Sequence, residues 1–180
     1  MSEENACNSG NIDPTAMGLF FVAAISLPLA IYSLLDSSSS VWNMGLFFTV
    51  GGILILSVSL KSYKFRSSFG YVVFGLVGYG VLMVGLCSLP IVAYPLGDYV
   101  MLTFALTYIL AVVWSMLIHT FKTMTLLLIT TALVFVTVGL SGIIGGDYWH
   151  YLIGISALLN FLFNIYLAYS LALEGKIKCI

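Results

Sequence analysis

Of the chain's 180 residues, 61% are hydrophobic and only 7% are charged, and mean hydropathy is +1.12. Soluble domains carry about 25% charged residues, so too little polar surface is present to cover a water-soluble fold of this size. Six basic against seven acidic residues give a net charge of -1, and no basic run is longer than Lys61 to Arg66, so nothing points to nucleic acid.

The first sixteen residues hold Glu3, Glu4 and Asp13 and no Lys or Arg. A secretory leader needs a basic start and a shorter apolar core. Residues 1–16 therefore read as a polar tail before a permanent span, residues 17–174 as one transmembrane domain, and residues 175–180 as a short C-terminal tail.

Six apolar runs follow in order. The first covers about 17–35, where Asp13 suits a helix N-cap and Pro14 a first turn, and it stops at Asp36 and Ser37–Ser40. The second covers about 42–60 and stops at Lys61. The third runs from about 69 to 89 and ends at Pro90, and the fourth from about 99 to 119, ending at His119. The fifth covers about 123–140 before the glycine-rich Ser141–Gly146, and the sixth about 149–173 before Glu174. Each matches a hydrocarbon core of roughly 30 Å crossed as a helix. The runs are continuous rather than alternating, which excludes a β-barrel. The expected class is an all-α integral membrane protein of six spans.

Charge sets the expected orientation. Lys61, Lys64 and Arg66 fall between spans two and three, Lys122 between four and five, and Lys176 and Lys178 in the C-terminal tail. The opposite loops hold Asp36, Asp98 and Asp147 and no basic residue. By the positive-inside rule both termini are cytoplasmic, in a multi-pass protein of the cell membrane. Trp42, Tyr94, Tyr99, Tyr148, Trp149 and Tyr151 cluster at outer span ends, as an interfacial aromatic belt does.

Few residues inside the spans carry chemistry. Gly45, Gly51, Gly52, Gly70, Gly75, Gly78, Gly80 and Gly85 mark close helix packing in spans two and three, within or between subunits. Thr103 and Thr107 share a helix face, as do Asn160 and Asn164, and Thr130, Thr131 and Thr137 dot the fifth span. Thr130, Thr131, Asn160 and Asn164 are candidates either for interhelical hydrogen bonds or for polar pore lining. No Asp, Glu, Lys or Arg lies near the middle of a span, where a proton-driven pump normally keeps a relay. His119 and His150 fall at span ends and read as wet structural residues. Cys7, Cys87 and Cys179 show no metal or redox spacing and read as free thiols. No nucleophilic set, metal cluster, phosphate loop or cofactor motif is present, so the expectation is a passage rather than an enzyme, without cofactor or metal.

The stretch Asp13-Pro14-Thr15-Ala16-Met17-Gly18-Leu19 resembles the opening motif of the acetate uptake transporter family, the YaaH-type succinate–acetate permeases. Further similarities lie in Met44–Phe48, in Phe69-Gly70 with Phe74 and Gly78, in Thr120-Phe121-Lys122 and in Ile165–Ala168. The resemblance implies six helices around a pore in each subunit, a homo-hexamer, and passage of acetate or a related short carboxylate. It implies a pore entrance motif that includes Asp13, Pro14, Gly18 and Leu19, and a constriction at Val22, Val77 and Val134. The family places phenylalanine, tyrosine and leucine at those three positions. The expected opening is then either wider or filled from adjacent turns, for which Phe20, Phe21, Tyr71 and Tyr79 are the neighbours in sequence. The leading expectation is a permease or channel for a small monocarboxylate such as acetate. A channel for a small neutral solute such as urea, ammonia or an amide needs the same architecture, and a scaffold protein without transport is the third class.

Overall fold

The computed structural model describes residues 14–35, 44–65, 67–89, 97–120 and 122–173. Asp13, Asp36, Ser37–Ser40, Trp42, Arg66, Pro90, Tyr94, Phe121, Glu174, Lys176, Lys178, Cys7 and Cys179 lie outside the described residues, as do most of the two expected tails. Six helices account for nearly all the rest: α1 (Pro14–Leu35), α2 (Gly45–Lys64), α3 (Ser68–Cys87), α4 (Gly97–Leu117), α5 (Lys122–Ile144) and α6 (Tyr148–Ala172). All six are long and apolar enough to cross a membrane, and no strand occurs among the described residues. The protein is a multi-pass helical membrane protein.

The helix ends have local causes. Ser67 caps α3 by accepting the Gly70 amide at 3.3 Å. At the end of α4, His119 turns left-handed, with φ 54°. There the Thr120 amide donates to the Ser115 carbonyl and the His119 amide to that of Met116, the closure that usually takes glycine at the His119 position. The fifth helix runs past 140 to Ile144, because Gly142 is taken up as a packing site: a Cβ there would overlap the Asp98 carboxylate. It breaks instead at Gly145 and Gly146, whose φ of 70° and 110° suits glycine.

Glycine also explains the tightest helix pair. A Cβ on Gly52 would stand 2.5 Å from the Leu82 nitrogen, and one on Gly78 2.8 Å from the Leu56 nitrogen. One on Gly85 would overlap the Thr49 backbone. The glycines of α2 and α3 therefore let these two backbones touch within one chain.

Each helix packs against its neighbours in sequence, and α6 closes onto α1, giving a ring of six. Lys61 and Lys64 end α2 and Lys122 begins α5, so the described basic residues share one end of the ring. Asp98 and Asp147 lie at the other. Tyr99, Tyr148 and Tyr151 are exposed at that acidic end, as a belt requires, but Trp149 is only 9% exposed and packs inward. His119 is exposed and His150 is half-buried.

Candidate functional site

The ring surrounds a cavity of about 60 Å³ to which all six helices contribute. Val22, Ile25, Ser26 and Leu29 come from α1, one or two per turn along one face. Val77, Val81 and Val84 repeat the pattern on α3, and Thr131, Val134, Phe135 and Val138 on α5. Phe48 and Ile55 from α2, Met101 from α4 and Asn160 from α6 complete the wall. A volume of this size holds about four or five water-sized particles, or a solute of about four heavy atoms.

Val22, Val77 and Val134 thus meet at one cavity, with Val22 and Val77 only 6% and 3% exposed. The bulk around them comes from Phe48 and Phe135. Phe20, Phe21, Tyr71 and Tyr79 do not line it: Phe20 stands edge-on to Tyr169, and Tyr79 faces Phe104. Phe135 is held by rings on α4, with centroids 5.4 Å from Tyr108 and 5.9 Å from Phe104. Tyr108 is itself fixed by donating its hydroxyl to the Val73 carbonyl at 3.1 Å. The sequence marked Phe48 only as the end of the Met44–Phe48 stretch and Phe135 not at all, because an aromatic on an apolar helix gives no sign of which way it faces until its partners are known.

Three lining residues are polar, and they form one network. Asn160 donates from Nδ2 to Thr131 Oγ1 at 2.7 Å, and its Oδ1 accepts from Ser26 Oγ at 3.2 Å. The single Ser26 proton is shared between Asn160 and the Val22 carbonyl (2.9 Å), and Thr131 donates its own to the Leu127 carbonyl (2.8 Å). Asn164 sits one turn along from Asn160 and donates to both its carbonyl and its side-chain oxygen. Asn164 is fully buried, is not part of the cavity wall, and its own Oδ1 has no partner. Thr130 likewise lies off the cavity and bonds Leu127. Asn160 therefore both ties α1, α5 and α6 together and faces the cavity. With one Nδ2 proton on Thr131, the second is the donor that this wall can offer a solute. The other twelve lining residues are apolar, and none is ionisable.

Part of the opening motif packs into the interior of the ring near the cavity, while Met17 is exposed. Pro14, Gly18 and Leu19 are buried. A Cβ on Gly18 would stand 2.6 Å from the Phe74 ring, so this glycine seats an α3 aromatic one turn before Val22 and Val77. Gly18 and Phe74 are thus complementary in this chain: the ring fills the room that the missing side chain leaves.

A ring of six helices with this layout has been seen before. The fold is shared with a bacterial acetate channel. The chain is similar to the solved structure of the bacterial acetate channel SatP, with a TM-score of 0.76 and 17% identity over 92% of this chain and 94% of that one. No protein-family model matches the chain, and no curated protein matches it in sequence. At that identity the likeness establishes the architecture.

Proposed function

We propose that the protein is a membrane channel or permease for a small monocarboxylate such as acetate, which crosses through the central cavity. The observation that carries the reading is the cavity itself: lined by all six helices, sized for about four heavy atoms, apolar on most of its wall, with one polar strip. The shared fold with an acetate channel supports the same solute. A bare carboxylate is costly in an apolar neck, and no cation lines this one. The solute therefore crosses either on the Asn160 donor or as the protonated acid. Val22, Val77 and Val134 form the constriction, and Gly18 and Leu19 with Phe74 form its approach. The basic residues gathered at one end support both termini on the cytoplasmic side of the cell membrane, and a homo-hexamer is the assembly implied by the family resemblance. The contents of the wall suit passage, not catalysis.

Paired uptake of labelled acetate and labelled urea into proteoliposomes tests the reading. Acetate entry above protein-free vesicles supports it. Urea entry without acetate entry would make this a neutral-solute channel, and entry of neither would leave a scaffold.

A further inference from the structure

On the outside of the ring, between α2 and α3, two adjoining hollows of about 460 and 440 Å³ share Tyr71 and Val72. The hollow farther from the basic end is apolar, walled by Leu56, Leu60 and Leu76. Its floor is low because Gly75 has no side chain: a Cβ there would stand 3.2 Å from Ser59 Oγ. The Ser59 hydroxyl is already taken, donating to the Tyr71 carbonyl at 2.7 Å. The second hollow opens at the end of the helix pair and is the more polar of the two, with Lys64, Ser67 and Ser68 beside Tyr63 and the shared Tyr71 and Val72. The Tyr63 and Tyr71 rings, 5.3 Å between centroids, stand at the junction. Lys61 is exposed three residues before Lys64, on the same face of α2. The acidic residues among those described, Asp98 and Asp147, are at the opposite end of the ring, so nothing described there offsets the two lysines.

We propose that this groove binds an anionic glycerophospholipid. One acyl chain lies along Leu56, Leu60 and Leu76, and the phosphate sits at the mouth with Lys61, Lys64 and Ser68. The order of chemistry along the groove carries the argument. Its cationic, hydroxyl-rich part is at the helix ends, where headgroups lie, and its apolar part runs toward mid-membrane, where acyl chains lie. A two-fold dimer across this face would bring Lys61 and Lys64 toward their own equivalents, and a neighbouring subunit in a ring would present a different face here, an occupant that the crosslinking test separates from lipid. A free phosphate would use the mouth and leave the apolar half empty.

Full-length protein purified in mild detergent, incubated with phosphatidylglycerol or phosphatidylcholine of identical chains and weighed by native mass spectrometry, tests this. The wild type should retain phosphatidylglycerol at least tenfold better, from roughly fivefold per lysine. Lys61→Gln with Lys64→Gln, both exposed and harmless to the fold, should bring the two lipids level. Val72→Trp, which fills the groove without touching a charge, should lose both lipids, and Lys122→Gln, at the same end of the ring, should keep the wild-type preference. Glycerol phosphate should not displace the lipid. Equal retention of the two lipids by wild type, or a preference that survives either groove variant, would overturn the proposal. So would displacement by glycerol phosphate, or a photo-crosslinker at position 72 that joins two copies of the chain instead of labelling added lipid.

Discussion

Replacing Asn160 with leucine changes the chemistry of the cavity while nearly conserving its volume. Three hydrogen bonds end on the Asn160 side chain, from Ser26, to Thr131 and from Asn164. Each partner keeps another: Ser26 the Val22 carbonyl, Thr131 the Leu127 carbonyl, and Asn164 the backbone carbonyl of residue 160. Side-chain hydrogen bonds between membrane helices average about 0.6 kcal/mol, so Asn160→Leu should cost about 2 kcal/mol and leave a folded protein. A hydrogen bond to a charged group is worth about 1.5–3 kcal/mol. If acetate passes as the anion on the Asn160 donor, its flux should fall roughly tenfold to a hundredfold. If it passes as the acid, the fall should be no more than about tenfold, because a neutral bond is worth about 0.5–1.5 kcal/mol. Labelled acetate uptake at matched protein density, with a thermal melt of the same sample, reads both quantities. Unchanged acetate flux through a folded Asn160→Leu protein would refute the assignment of this cavity as the path.

Other substitutions test the remaining parts. Val22→Phe places a ring in a cavity of about 60 Å³ and should slow a three- or four-carbon acid more than acetate in proteoliposome uptake. Val77→Asp should wet the constriction and repel anions, cutting carboxylate flux while sparing urea. Gly85→Leu drives a side chain into the Thr49 backbone, so it should abolish the folded subunit itself, seen as aggregate on size-exclusion chromatography, rather than merely separate subunits. His119→Gly relieves a left-handed residue that costs about 1 kcal/mol or more. It gives up the bond from the ring to the Leu117 carbonyl and should raise stability by about 0.5 kcal/mol, measured as a small rise in melting temperature with transport unaltered.

The six spans were legible because the bilayer imposes a length on every helix, and the observed helices fall within a few residues of the apolar runs. The ends were less so. The fifth helix outlasts its glycines because Gly142 is needed as a flat surface for Asp98, a tertiary demand that composition does not show. The small residues of α2 and α3 announced close packing, but only the neighbours of Gly52, Gly78 and Gly85 show that the contact lies within one chain. At the cavity, Val22, Val77 and Val134 came from motif spacing alone, and the structure sets them around one space. Asn160 and Asn164 looked equivalent in sequence, four residues apart on one face. They separate because Asn160 reaches the cavity wall and Asn164 is packed behind it. Trp149 shows the same limit from the other side: its place at a span end suggested the membrane interface, and burial by neighbouring helices draws it inward.

The closure of α6 onto α1 also bears on how the protein is made. Helices that touch mainly their neighbours in sequence can pair as they leave the ribosome, α2 with α3 and then α4 with α5, each at little loop-closure cost. The one long-range step joins the first helix to the last. Until it occurs, Ser26 lacks the Asn160 side chain that α6 brings to it, although Thr131 can already meet Asn160 within the α5–α6 pair, and the interior has an open seam. Synthesis thus stores its most polar contact for the final event, so a nascent chain halted before α6 carries these hydroxyls on an unsealed surface, where quality control can recognise it.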